Sequence, residues 1–268
     1  MSARPRPPLW VAEQRAARVF LFGVRPGAKD RAWLTPTIEH ALGESDEFWC
    51  ETPEVSEIAQ SPLLAELGLS SDRQLTDWLG PSRSDRMRRV ANGVEVNPEN
   101  LQSLRPWLAA QVLNNAMLSR AGLDHSLNMD EVLRALAIKQ GKVLQTEFSV
   151  EGILRAFAGL PDTTELEYFD WILDVIERGT MHLSATYAAW LQGDLSMDED
   201  DLSETIRLYP GFYDTLVLAR NRQWIPRMKR MLESSGVTFM ALGVGHLVGV
   251  EGVPRLADAA GIELTRVQ

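Results

Sequence analysis

The chain has 268 residues, 45% of them hydrophobic and 24% charged, and its formal net charge is −10. This length and composition are typical of a soluble globular protein with a sizeable core. The charge argues against nucleic acid and anionic membrane surfaces as partners, because both are themselves negative. The single cysteine, Cys50, excludes an internal disulfide and a cysteine-rich zinc site.

The hydrophobic pattern bears on the location of the protein in the cell. No segment approaches the roughly 18 consecutive apolar residues of a membrane-spanning helix. Residues 1–10 are basic and proline-rich, and no apolar signal-peptide core follows them. We therefore expect no membrane span and a cytoplasmic protein, or a periplasmic or secreted one if a leader has been removed. The three prolines within residues 1–8 indicate a flexible arm.

The N-terminal part of the chain is predicted to form strands and one short helix. Residues 9–22, LWVAEQRAARVFLF, contain two strands around a polar turn at 13–16, and the second strand ends at Gly23. Thr35 and Pro36 then supply the N-cap and the first residue of a short helix.

A third strand is predicted in DEFWCE, which ends at Glu51 because Thr52 and Pro53 break it off. From about 53 to 235, apolar residues recur at the three- and four-residue spacing of helices. This helical pattern is interrupted by KVLQTE, a short run that is predicted to be a strand ending at Glu147.

Two local features modify the helical pattern. Pro106 is expected to divide the segment 98–120, because proline removes a helical donor and clashes with the preceding turn. The acidic run at 197–201 is interpreted as the solvated start of a helix and not as a metal site.

The C-terminal part contains a glycine-rich turn. VTFMAL is predicted to be a strand that leads into Gly-Val-Gly-His, with His246 at the tip, and a helical segment closed by Gly261 follows. IELTRV is a final strand candidate. Glycines let the backbone approach a ligand closely, and His246 can bind a proton or a metal. The alternative is a tight strand–helix corner whose histidine only makes a hydrogen bond.

These elements predict an α/β fold with a central, mainly parallel sheet, built from strands near both chain ends and mid-chain, and a large helical insertion. We expect residues 9–268 to form one domain. If the strands are parallel neighbours, their carboxyl ends meet at one sheet edge, where ligands bind. Glu51, Glu147 and His246 would meet there and could hold a divalent metal. Taken alone, each carboxylate is more often a surface charge or a cap.

The order of these motifs resembles the TraB/GumN family, which is related to the Tiki-type metalloproteases. The family pattern has a strand hairpin, a first Gly-x-x-His loop, a helix and a strand ending in glutamate. A long helical region, an Arg-Asn pair and a second Gly-x-x-His loop follow. Here Glu51 matches the glutamate, and Glu147 takes the acidic position after the mid-chain strand. Arg220 and Asn221 match the pair, and His246 matches the second loop.

The resemblance extends over about residues 9–268 and departs from the family pattern in the first loop. This loop reads Gly-Val-Arg-Pro, so Pro26 stands where the family has its first histidine. Proline cannot bind a metal or carry a proton. Of the other histidines, His40 is interpreted as a surface or packing residue, and His125 and His182 match no family motif.

The resemblance implies metal-dependent peptidase activity for members with both histidines and the glutamate. Because Pro26 replaces one histidine, we expect a degenerate member that uses the ancestral cleft for binding or regulation. In that interpretation Arg25 places a fixed positive charge where the metal would lie. The ligand would be a peptide or a small molecule, and zinc, manganese or cobalt would bind only weakly.

Two alternatives remain. In the first, the chain is a metal-dependent hydrolase in which Glu51 and His246 are ligands or acid–base groups and Glu147 supports them. Arg220 and Asn221 would then orient the substrate or polarise its carbonyl group. In the second, His246, Arg220 and Asn221 form a purely structural buried polar network. The substrate and the oligomeric state are not predicted from the sequence.

Overall fold

The computed structural model describes residues 4–26, 30–123 and 128–268. Within these residues, six strands form one sheet. They are β1 (Leu9–Gln14), β2 (Ala17–Val24), β3 (Glu47–Cys50), β4 (Val143–Thr146), β5 (Gly236–Gly243) and β6 (Leu264–Arg266). The flexibility of residues 1–8 and the single domain at 9–268 stay predictions, and residues 1–3 lie outside the described part.

The strands lie in the order β4-β3-β5-β2-β1-β6. The four strands from β4 to β2 are parallel, whereas β1 is antiparallel to both of its neighbours. Strands β2 and β5 pair along their full length, from Ala17 opposite Gly236 to Val24 opposite Gly243. The prediction of a central, mainly parallel sheet with a large helical portion is therefore confirmed.

The helices connect the strands and cover the sheet. They are α1 (Pro36–Glu44), α2 (Val55–Gln60), α3 (Pro62–Gly68), α4 (Leu75–Gly93), α5 (Pro106–Arg120), α6 (Met129–Lys139), α7 (Val150–Ala158), α8 (Asp162–Leu191), α9 (Ser196–Leu208), α10 (Pro210–Tyr213), α11 (Ala219–Glu233) and α12 (Val253–Ala259). A π-helical stretch, Asp214–Leu218, joins α10 to α11, and Val244–His246 forms a 3-10 turn after β5. No helix within the described ranges has the length and apolar character needed to span a membrane.

Apolar side chains bury both faces of the sheet. On one face, Phe22 and Phe239 pack with Trp190 of α8. On the other face, the indole of Trp49 lies edge-on to that of Trp224 of α11, with ring centroids 5.9 Å apart. Central strands covered on two sides are apolar on both faces, which explains the continuous apolar runs in β2 and β5.

Local sequence signals set several helix boundaries. Thr35 caps α1, because its hydroxyl oxygen accepts a hydrogen bond from the Ile38 N–H. Pro106 is the first residue of α5, so the predicted division of the segment 98–120 is confirmed. Helix α8 is interrupted at Gly179, whose φ of 76° favours glycine.

The acidic run at 197–201 differs from its prediction. It does begin a helix, α9, but Asp198 is only 7% exposed and forms an ion pair with Arg25. The interpretation as a solvated helix start is therefore wrong for Asp198. The difference arises because Asp198 contacts Arg25, which is 173 positions away in the sequence, and the local pattern does not reveal such a contact.

Candidate functional site

The predicted site residues meet at the carboxyl edge of the parallel strands. Glu51 and Glu147 directly follow β3 and β4, and His246 ends the 3-10 turn after β5. The Glu51 Oε2 and His246 Nε2 atoms are 3.6 Å apart. The predicted convergence of these strand ends is confirmed, although the chemical roles of the residues stay predictions.

His246 is held in one orientation by Asn221. The Asn221 Nδ2 donates to the Glu251 carbonyl oxygen at 2.9 Å, which leaves Oδ1 facing His246 Nδ1 at 2.7 Å. His246 Nδ1 therefore carries the proton and donates it, and Nε2 presents a lone pair to the site. Burial lowers the pKa of His246 to about 4, against the pull of Glu51, so the imidazole is neutral near pH 7.

Arg220 lies between the two glutamates. Its Nη2 donates to Glu51 Oε2 at 2.8 Å and to Glu147 Oε2 at 2.5 Å, and its Nε contacts both Glu147 oxygens. Its Nη1 is 3.5 Å from His246 Nε2. The prediction that Arg220 is mostly buried, points to the His246 loop and has an acidic partner is confirmed, since its side chain is 15% exposed.

Aromatic rings fix the positions of these polar groups. The guanidinium carbon of Arg220 lies 5.3 Å from the ring centroid of Phe148 and 5.0 Å from that of Trp224. The Trp224 ring also contacts His246 edge-on, with centroids 4.7 Å apart. Cation–π contacts of this kind stabilise a partly desolvated guanidinium, and here they help to hold Arg220 between the two glutamates.

The two glutamates respond differently to burial. The Gly243 N–H donates to Glu51 Oε1, and an added Cβ at Gly243 would lie 3.3 Å from that oxygen. Burial opposes the ionisation of Glu51, but interactions with His246 and Arg220, together with this hydrogen bond, lower its pKa. For Glu147, burial outweighs the bonds to Arg220 and raises the pKa. Glu51 is therefore the more firmly ionised carboxylate.

Asn221 and its neighbours also match their predictions. Asn221 is buried against the His246 loop, whereas Arg222 and Gln223 are exposed. The side chain of Arg222 is 62% exposed and pairs with Glu251 at 2.7 Å. One turn of α11 thus presents Arg220 and Asn221 to the site and Arg222 to solvent, as helical periodicity requires.

Arg25, in the first loop, is bonded to residues other than Glu51 and His246. Arg25 Nη1 donates to Asp198 Oδ1 at 2.5 Å, and the Arg25 N–H donates to Met129 Sδ at 3.4 Å. The prediction that Arg25 places its charge at the metal position is therefore wrong, because Asp198 holds the guanidinium. Pro26 is exposed. The cation beside Glu51 and His246 is Arg220.

Asp130, in the first turn of α6, lies near enough to Glu51 for the two charges to interact, and the sequence did not predict this. Burial and the nearby charge of Glu51 raise its pKa to about 7. Only its proximity to Glu51 distinguishes it from an ordinary acidic residue at a helix start, so no signal in the sequence identifies it.

The other two described histidines, His40 and His182, lie elsewhere. His40 is exposed on α1 beside Glu44, as predicted, and His182 contacts Asp201 through Nε2. His125 lies outside the described residues. The site therefore has His246 as its described histidine.

The order of elements around this site agrees with a comparison against protein families. The model of the TraB/PrgY/gumN family matches residues 8–266. The chain belongs to this family. No curated protein and no solved structure matches the chain.

Membership in the TraB/PrgY/gumN family raises the question of a metal. Glu51 Oε2 and His246 Nε2 are spaced as two ligands of one ion could be, each at about 2 Å from it. Within 4–26, 30–123 and 128–268, no three His, Cys, Asp or Glu side chains are grouped closely enough to hold an ion as they stand, and Glu147 is bonded to Arg220. The described donors thus fit a metal only in part.

Proposed function

We propose that this chain is a degenerate TraB/PrgY/gumN member that binds a peptide or small molecule at the former active site, without metal-dependent catalysis. The observation that carries the proposal is the first loop. It has Pro26 in place of the histidine that the family resemblance calls for, and Asp198 holds the neighbouring Arg25. The metal-binding side chains that the resemblance calls for are then reduced to Glu51 and His246.

The charges of the site support this proposal. Arg220 donates to both Glu51 and Glu147, which offsets part of their negative charge without a metal ion. Two carboxylates against one guanidinium still leave an excess of hydrogen-bond acceptors, and His246 Nε2 adds another. A ligand group with N–H donors, such as an amine or a peptide amide, matches this arrangement.

A metal-dependent hydrolase is the second candidate, and one observation favours it. Asn221 fixes the His246 tautomer so that a neutral Nε2 faces Glu51, and a hydrogen bond at the far ring nitrogen prepares metal-binding histidines in the same way. Glu51 and His246 would hold the ion, which would supply an activated water. Glu147 would be a further ligand or a supporting carboxylate, and Arg220 with Asn221 would position the substrate.

Calorimetric titration of the protein with Zn²⁺, Mn²⁺ and Co²⁺ separates the two candidates. We expect dissociation constants no tighter than about micromolar and no metal-dependent hydrolysis of a casein digest. Glu51→Gln and the exposed Glu233→Gln serve as site and control variants. Nanomolar binding with metal-dependent hydrolysis, both lost in Glu51→Gln and kept in Glu233→Gln, would establish the hydrolase instead.

A further inference from the structure

A second concave region lies among the helices, apart from the sheet-edge site. It is a cleft of about 650 Å³ between α4, α5 and α8, and none of Glu51, Glu147, Arg220 and His246 lines it. Ligand sites in proteins occupy roughly 300–1,000 Å³. The cleft is therefore large enough for a small organic molecule.

The inner wall of the cleft is apolar. Val90, Val94 and Met117 are each less than 9% exposed, and Ile176 packs beside them at partial burial. These side chains belong to the separate apolar core of the helical layer. A hydrocarbon group placed on this wall would leave water, which is the main favourable contribution to the binding of apolar ligands.

The rim of the cleft carries two exposed arginines. Arg89 is exposed and forms no ion pair or hydrogen bond within the described ranges, and Arg120 pairs with Glu95, whose side chain is 76% exposed. The acidic residue of the rim, Glu177, is already bound by Arg86. Arg89 is thus available to an anion, in a chain whose net charge is −10, and Arg120 can join it by exchanging its solvent-exposed pair with Glu95, since exposed pairs contribute little stability.

The interruption of α8 contributes the third feature. Gly179 has φ 76° and ψ −179°, and both Gly179 and Thr180 line the cleft. A helix that restarts after such a residue has N–H groups without intrahelical acceptors in its first turn. The break therefore places the first turn of the restarted helix at the edge of the cleft, opposite the helices that carry the two arginines.

We propose that this cleft binds an apolar molecule with one anionic head group, of the medium-chain carboxylate type. The hydrocarbon chain would lie against Val90, Val94 and Met117, and the head group would interact with Arg89 and Arg120. This inference does not depend on the proposed function of the sheet-edge site.

Calorimetry of the full chain with decanoate tests the proposal, with decanol, decyl phosphate and decyltrimethylammonium as comparison ligands. We expect decanoate to bind at least tenfold more tightly than decanol, and the cation not to bind. Decyl phosphate distinguishes the head groups, since tighter binding of the phosphate than of the carboxylate would replace the carboxylate in our proposal. Arg89→Ala and Arg120→Ala should each weaken decanoate at least fivefold, whereas Arg88→Ala, which removes a pair with Asp85 outside the cleft, should not.

Glycine substitutions test the location. An added Cβ meets no atom within 4 Å at Gly93, which lines the cleft, or at Gly43, which does not. Gly93→Leu should abolish decanoate binding and Gly43→Leu should leave it unchanged, with both variants checked for unchanged thermal unfolding. If Gly93→Leu unfolds, amide chemical shifts of the natural protein decide, because decanoate must move the signals of Gly179 and Thr180. Equal binding of all four ligands, no binding of decanoate or decyl phosphate, or binding that survives in folded Gly93→Leu would overturn the proposal.

Discussion

The two loops that follow β2 and β5 begin alike and end differently. Their strands are parallel neighbours in register, so Val24 lies opposite Gly243 at the same edge of the sheet. The loop at 243–246 ends in the buried His246, whereas the loop at 23–26 ends in the exposed Pro26. The comparison teaches that the sheet determines where a loop begins, while single side chains determine whether it can take part in chemistry.

The loops also differ in how they are anchored. His246 is fixed by neutral hydrogen bonds through Asn221 and the Glu251 carbonyl. The first loop is fixed by the buried pair of Arg25 and Asp198, whose Nε and Oδ2 atoms lack hydrogen-bond partners within the described ranges. A buried charge pair is sensitive to the loss of one partner, so the two anchors should respond very differently to mutation.

The largest effect is expected from Arg25→Met. It leaves Asp198 buried without its cation, and the free energy of unfolding should fall by about 3–5 kcal/mol in urea titrations at pH 8. Burial already raises the pKa of Asp198 to about 6, so protonation should reduce the loss at lower pH. The double variant Arg25→Met/Asp198→Leu should recover most of the stability. A loss below about 1 kcal/mol in the single variant would show that this pair does not anchor the loop.

The next effect concerns His246 and pH. Its pKa is about 4 in the folded protein against 6.5 ordinarily, so the unfolded chain takes up the proton first as the pH falls. Above pH 6.5 the titration of His246 leaves the free energy of unfolding unchanged. As the pH falls from 6.5 to 4, protonation of His246 favours the unfolded chain and lowers this free energy by up to about 3 kcal/mol. Urea titrations across this range should show a steeper fall for the natural protein than for His246→Asn. Parallel curves would mean that the imidazole is not desolvated.

Placing a histidine at position 26 (Pro26→His), where the resemblance to the family calls for one, should make the first loop resemble the second. We expect tighter binding of Zn²⁺, Mn²⁺ or Co²⁺ by at least tenfold, about 1.4 kcal/mol, in calorimetric titrations. Pro26→Ala is the matched control, because it releases the fixed φ of proline without adding a ligand. If Pro26→His and Pro26→Ala both bind these metal ions as weakly as the natural protein does, the Arg25–Asp198 pair keeps position 26 away from Glu51 and His246.

The smallest effect is expected for Arg222→Ala. This side chain is 62% exposed and pairs with Glu251, so removing it should change the free energy of unfolding by no more than about 0.5 kcal/mol. Urea denaturation of Arg222→Ala and Arg25→Met, measured side by side, compares a surface ion pair near the second loop with a buried ion pair at the first loop. A cost above about 2 kcal/mol would show that Arg222 also supports Glu251 beneath Asn221.

Local signals in the amino-acid sequence were enough to predict several elements. Continuous apolar runs marked β2 and β5, Thr35 and Pro36 marked the start of α1, and Pro106 marked the start of α5. These signals suffice because capping, proline geometry and strand burial act over a few residues. Parallel strands then carry the residues after their ends to one edge, which is why Glu51 and His246 could be paired in advance.

The partners of the buried charges, in contrast, are visible only in the folded chain. Asp198 and Asp130 have the same local pattern, an acidic residue in the first turn of a helix, yet one binds Arg25 and the other lies near Glu51. Arg25 likewise could be directed toward the site or away from it. The outcome depends on which side chains meet across more than 70 positions and on how far burial weakens their hydration, and neither is encoded in local spacing.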